Sequence, residues 1–335
     1  MEKINSEEGF HSSEGIFSGD LRYDEPMSSH TTFKVGGNAD AWVRPEKDIF
    51  PDYAAKLLAS AREEGISVFV LGGGANIVVS DSGIRGIVLD TGLWDGVFSE
   101  FSHGGHKGTE GGASITVKVL SGSLVDGLAD RLAALGLSGL EFLAGLPGTV
   151  GGAVWMNARC YEKSISDALI ETEILDGNFQ PQIVPFCPED FSYKKSPFQG
   201  LEALILSARF AVRKRRGEDM RREMMEYRRD RVEKGHYRFP SAGSAFKNSH
   251  SFGEPTGRIV DQVGLRGLSI GGAQVAPWHG NIIINTGNAT ACDIKNLMDE
   301  VSRRVRADRG FNLESEILFV GEWDNDPLKL ASINI

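Results

Sequence analysis

Apolar periodicity is absent from residues 1 to 22, which are rich in Ser, Glu and Gly, so this stretch has nothing to bury and is expected to be a disordered tail. From Phe33 the pattern changes. A strand is expected over 39–43, an amphipathic helix over 48–64, and a β-rich run over 67–71 that stops at three glycines. Short β-branched runs at 77–80 and 84–90, split by an Asp-Ser-Gly turn, complete a first α+β unit. The Gly-, His- and Ser-rich segment 98–112 reads as a surface hairpin loop and 114–120 as a strand. Leu124, Val125, Leu128, Leu132 and Leu135 then fall on one face of a helix that should end at Gly136 in a left-handed cap. Strand runs at 168–175, 182–186 and 203–212 close a second unit, with helices too sparse for a parallel doubly wound sheet.

Between Arg209 and Arg238 there are 12 Lys or Arg and six Asp or Glu, a local balance of +6. This helical stretch is expected to join two domains, with i,i+4 ion pairs along a solvated face or a basic rim for an anionic ligand as its two readings. Helices at 254–264 and 291–309 and strand runs at 273–275, 281–285 and 316–320 follow. The expected organisation is a tail (1–22), two parts of one domain (23–90 and 91–215) and a smaller α+β domain (216–335).

Charge and cysteines narrow the partners. The net charge of −10 argues against sequence-blind binding to nucleic acid. Cys160, Cys187 and Cys292 are odd in number and far apart, which offers neither a disulfide framework nor a metal knuckle and suits a reducing cytoplasm. The acidic N-terminal stretch is no signal peptide, and no apolar run reaches the ~18 residues of a membrane span. Glycine is the outlier: 41 in 335 residues, about 12% against a usual ~7%.

The glycines cluster where chemistry is expected. Leu71, Gly72, Gly73, Gly74, Ala75 and Asn76 follow a strand, where consecutive N–H groups can turn toward one anion such as a pyrophosphate; a Gly-rich tight turn is the plainer reading. Gly145, Gly148 and Gly151 leave the backbone bare every third residue, with Thr149 and Gly152 between and after them. That spacing suits a flat cofactor ring or a close-packed turn. No GxGxxG, GxxxxGK[ST] or HExxH pattern is present. In Pro-Ser-Ala-Gly-Ser-Ala-Phe-Lys-Asn, 240–248, Ser244 lacks a nucleophile elbow, which favours a proton donor or a turn residue. Glu316 opens an apolar run, either as a carboxylate with a displaced pKa or as a satisfied edge residue.

These motifs resemble the UDP-N-acetylenolpyruvoylglucosamine reductase family. The match rests on HTTFKVGGNAD (30–40), LGGGANIVVSD (71–81), GLSGLEFLAGLPGTVGGAVWMNA (136–158), SAGSAFKN (241–248), GGAQV (271–275) and LESE (313–316), in that order. The short interval from Asn248 to Gly271 is similar to the family's compact second type. The resemblance implies a two-part FAD-binding domain of the PCMH/vanillyl-alcohol-oxidase-like type with a smaller substrate domain. It also implies NADPH-dependent reduction of UDP-N-acetylglucosamine enolpyruvate to UDP-N-acetylmuramate in peptidoglycan precursor synthesis.

Carried over by resemblance, 71–76 and 145–152 hold FAD, Ser244 donates a proton and Glu316 is the catalytic acid. Tyr193, Lys247, Asn248, Gln274 and His279 fall on the substrate side. Lys194 stands where the family has Arg, so a point charge replaces a planar fork. Arg159, which stands where the family has a small residue, is the other candidate for that cation, and an extended 191–196 segment would turn Lys195 away from Lys194. Another FAD-dependent oxidoreductase on the same scaffold and a catalytically impaired UDP-sugar-binding homologue are the alternatives.

Overall fold

Strand β1, Gly19–Pro26, runs antiparallel to β2, Asn38–Pro45, and the first sheet continues through parallel pairings to β5 (Ile84–Asp90) and then β3 (Val68–Leu71). The computed structural model describes residues 11–12, 15–102 and 114–323. Within the stretch expected to be a disordered tail, His11–Ser12 pairs with Gly15–Ile16, and residues 19–22 pair with 42–45. The rest of it before Gly15 lies outside the described residues. The reason for the miss is plain: β1 is an edge strand whose side chains are almost all exposed, so backbone pairing builds it with no apolar alternation to announce it.

Helix α1, Phe50–Glu63, follows the expected spacing, with Phe50, Ala54, Leu58 and Ala61 buried on one face and Pro51 in the first turn. That face packs on Val43, Val68 and Leu89 of the first sheet and on Leu175, Leu204 and Leu206 of the next. The helix therefore wedges the two sheets together.

The second sheet contains β6 (Val97–Ser102), β7 (Ser114–Leu120), β8 (Leu169–Leu175), β9 (Pro181–Pro185) and β10 (Leu204–Lys214), in the antiparallel order β9-β8-β10-β7-β6. The segment expected as a loop over 98–112 thus begins as a strand, and 103–113 lies outside the described residues. Helices α2 (Val125–Leu135) and α3 (Val150–Trp155) bury Val125, Leu128, Leu132, Val150 and Val154 with Val117, Val119 and Phe210 of the sheet. Gly136 ends α2 with φ +67, as its position predicts.

The basic stretch is helix α4, Gly217–Glu233. Met220 and Met224 bury against Ala129, Ala133 and Ala144, and Arg228 pairs with Asp126 and Asp130. Arg215, just before the helix, pairs with Glu141 and Glu223. Much of its positive charge is spent on neighbouring acids, in line with the ion-paired reading.

The last unit packs α6, Ala291–Arg309, on a small antiparallel sheet of Ser269–Ile270, β11 (Ala273–Val275) and β12 (Ile283–Asn285), with α5 (Thr256–Gln262) alongside. Ile294, Leu297, Met298, Val301 and Val305 form the buried stripe of α6. Thr290 and Asp293 make a capping box at its start. There the Asp81 carboxylate, from the first unit, also accepts from the N–H groups of Ala291 and Cys292 at 2.8 Å each. The final strand, β13 (Leu318–Val320), does not stay with the expected 216–335 unit; it returns to pair in parallel with β4 (Ile77–Val79).

Candidate active site

The two glycine loops touch. Were a Cβ added to Gly73, it would lie 2.6 Å from Gly148 Cα, and one on Gly72 would collide with Thr149 Oγ1. Gly73 is therefore bare because the second loop's backbone is there, a packing contact beyond both the anion-nest and the tight-turn readings of the sequence. Thr149 caps α3 by accepting from Gly152 N at 3.5 Å, and Gly151 sits over Ser121. Gly145 is held from both sides: its N–H donates to Asp126 at 2.7 Å, and its carbonyl accepts from the Tyr237 hydroxyl.

The residues present fit a bound pyrophosphate. Among the described residues, the N–H groups of Gly73, Gly74, Ala75 and Asn76 donate to no protein acceptor, and Gly73 is exposed. Successive unpaired donors at a strand end suit an anion. Asn76 differs from its neighbours, since its side-chain Nδ2 is already used, donating to the carbonyl of Glu316 at 2.9 Å.

Residues 192–195 form a tight turn, so an extended segment is not what separates Lys194 from Lys195. The N–H of Ser192 donates to Lys195 O and that of Lys195 to Ser192 O, at 3.2 and 3.1 Å, while Lys194 takes φ +58. Such a φ is uncommon without glycine, and no glycine marks the turn in the sequence. The outcome still separates the two lysines. Lys195 is exposed, whereas Lys194 Nζ lies 2.6 Å from Glu316 Oε1, with side-chain exposures of 12% and 10%. Arg159 is exposed on a short ladder with Ser164, so the cation brought to Glu316 is Lys194.

Ser244 lies on a short extended segment clasped on both sides. It bridges to Ile282. Ala245 N donates to Asn281 O, and Glu316 N donates to Ala245 O, each at 2.9 Å. Phe246 exchanges two bonds with the Asn281 side chain. This segment sets Ser244 beside Glu316 through the backbone. Ser244, Asn248, Arg258, Asp261, His279 and Asn281 line one cleft.

His279 Nδ1 accepts from Asn281 N at 3.1 Å and burial pushes its pKa down. The imidazole is thus neutral at neutral pH, with Nε2–H as its donor. Tyr193 reaches the same region, its hydroxyl accepting from Asn248 N at 3.4 Å.

Two residues expected on the substrate side are otherwise occupied. Lys247 pairs with Glu314 at 2.6 Å. Gln274 Nε2 donates to Gly267 O and Ser269 Oγ, and neither Lys247 nor Gln274 lines the cleft. Sequence reading missed Asn281, which clasps the Ser244 segment, and Arg258 and Asp261 in the cleft wall. No spacing in the chain marks them. Groups of His, Cys, Asp and Glu able to hold a metal are absent among the described residues, and no helix among them is long and apolar enough to cross a membrane.

The FAD binding domain family matches residues 44–178, and the UDP-N-acetylenolpyruvoylglucosamine reductase C-terminal domain matches 235–320. An FAD binding domain followed by a reductase C-terminal domain makes this an FAD-dependent oxidoreductase. The UDP-N-acetylenolpyruvoylglucosamine reductase of Treponema denticola is 39% identical over 317 residues, spanning 91% of this chain and 95% of that one. That of Treponema pallidum is 36% identical over 342 residues, spanning 90% and 94%. The structure of the Thermus caldophilus reductase aligns with a TM-score of 0.70 at 31% identity, covering 91% of this chain and 99% of that one. The chain belongs to the UDP-N-acetylenolpyruvoylglucosamine reductase family.

Proposed function

We propose that the protein is a UDP-N-acetylmuramate dehydrogenase, reducing UDP-N-acetylglucosamine enolpyruvate with NADPH by way of FAD, in the cytoplasm, to supply peptidoglycan precursor. The observation that carries the reading is the largely buried Lys194–Glu316 pair, held beside Ser244 and tied through Asn76 to the first glycine loop. When bound, FAD carries two electrons as hydride from NADPH to the β-carbon of the enolpyruvyl group. Every other task falls to side chains.

Ser244 donates the proton that completes the saturated carbon, a positioned acid contributing about 100- to 10,000-fold. The Lys194 ammonium faces the negative charge that grows on the substrate carboxylate as the double bond is reduced. Glu316, as the carboxylate partner, fixes that ammonium, and solvent returns the donor's proton after each turnover. Asn248, Tyr193 and neutral His279 orient the UDP-sugar in the cleft. Lysine in place of arginine keeps a cation against Glu316, which favours turnover over a role limited to binding the UDP-sugar.

Purified protein is expected to be yellow, to bleach with NADPH and to recover its colour with the enolpyruvyl sugar. Ser244→Ala should leave the bleaching step nearly intact and slow recovery by about 100-fold or more, read by stopped-flow absorbance. Equal slowing of both steps would assign Ser244 to the cofactor site instead.

A further inference from the structure

Each glycine loop leads to an asparagine whose side-chain amide grips backbone at or close to one half of the Lys194–Glu316 pair. Asn76 closes the first loop and donates to Glu316 O at 2.9 Å. Asn157 follows α3, the helix that grows from the second loop, and its Nδ2 donates to Ser192 O, also at 2.9 Å. Asn157 is 3% exposed and takes φ +44, and its Oδ1 accepts from Ser166 N at 3.3 Å.

Ser192 begins the turn that carries Lys194. Three further bonds fasten that turn to the same few residues: Ser196 Oγ donates to Trp155 O at 2.6 Å, and Gln199 Nε2 bridges Trp155 O and Lys194 O at 3.0 Å each. The Lys194 backbone is thus tied to the far end of a six-residue helix whose near end is the second glycine loop.

We propose that Asn157 is a positioning residue, which sets the Lys194 turn in register with the cofactor cradle so that the ammonium meets both Glu316 and the substrate. The inference rests on the role given above to Lys194. A left-handed turn without glycine is not a conformation the local sequence favours, so the tethers from 155–157 must hold it. Small misplacement of a charged group costs rate steeply, as much as about 100-fold for an ångström.

The test uses two variants of the holoenzyme. Asn157→Gly keeps the positive φ without strain and deletes the amide; Asn157→Asp keeps the size, the φ and the acceptor toward Ser166, and sets a carboxylate oxygen in place of the donor that faces Ser192 O. Flavin per chain, the rate of flavin reduction by NADPH, and kcat and KM for the enolpyruvyl sugar are measured, each variant also being made in a Lys194→Met background. Flavin content and flavin reduction should stay within about twofold of wild type. Reoxidation by the sugar should fall by about 10- to 100-fold, in kcat more than in KM.

In the Lys194→Met background the Asn157 substitutions should change the residual rate by less than about twofold. Lys195→Ala, on the exposed side of the turn, should match wild type. Full additivity of the Asn157 and Lys194 effects, or loss of flavin from both Asn157 variants, would overturn the proposal. Unimpaired reoxidation by Lys194→Met alone would instead overturn the role of Lys194, and with it the basis of the inference.

Discussion

Lys194 combines two costs in one residue, a left-handed backbone and a charge removed from most of its water. A non-glycine residue in that conformation costs about 1–2 kcal/mol, and stripping an ion of solvent costs several kcal/mol unless a partner compensates. Glu316 at 2.6 Å is that partner. Removing the ammonium should therefore hurt twice, by deleting the cation and by leaving a carboxylate unpaired. Lys194→Met is expected to cut turnover by about 100-fold or more, with a smaller change in KM, whereas Lys194→Arg should retain activity because its fork can hold both carboxylates. Steady-state kinetics on the two variants decide the matter.

His236 offers a test of another kind. Burial, with Arg231 nearby, pushes its pKa down to about 4. An unfolded chain takes up this proton near pH 6.5 and the folded chain only near 4, so the unfolded state gains stability as pH falls through that window. The difference amounts to at most about 3 kcal/mol before solvent screening reduces it. Denaturant midpoints at pH 7 and pH 4.5 should separate more for wild type than for His236→Gln, and equal separations would show that His236 titrates normally.

At the scale of elements, α6 was legible because both its ends are marked in the chain: Thr290 and Asp293 cap one, Gly310 at φ +81 the other, and six buried residues keep the helical period between them. Strand β1 was not, since an exposed edge strand is made by backbone bonds alone. The glycine clusters were visible in the sequence, but the contact that keeps one position bare was not, because the neighbour that forbids a side chain at Gly73 is Gly148, and no local pattern records that contact. The turn carrying Lys194 escaped for a similar reason: its hold comes from Asn157, Ser196 and Gln199, and only folding brings them to it.

Two glycine substitutions separate packing from ligand contact. Gly73→Val should force the loops apart, lowering both the melting temperature and flavin content. Gly152→Ala has ordinary room, since its Cβ would lie 3.6 Å from Thr149 Oγ1, and alanine is about 0.5–1 kcal/mol better than glycine inside a helix. It should leave the apoprotein at least as stable and weaken flavin binding if a ring rests on that backbone. Unchanged flavin affinity, read by titration of the apoprotein, would remove Gly152 from the cofactor site.

Across the whole molecule, the last unit is fastened to the first by several links, among them the β4–β13 ladder, the Asp81 carboxylate at the head of α6, the Asn285 amide on Phe33 O and the Asn76 amide on Glu316 O. Asn76 and Glu316 are 240 residues apart in the chain. Closing a loop of that size costs about 3 kcal/mol more chain entropy than closing a ~10-residue hairpin. Long-range pairing of this kind forms late and slowly. A ribosome releases residues 71–76 early, yet β4, the strand that follows them, has no β13 until the far end of the message is read. Cofactor loading is therefore expected only once β13 has been made, and nascent chains arrested before residue 314 should emerge colourless even when FAD is abundant.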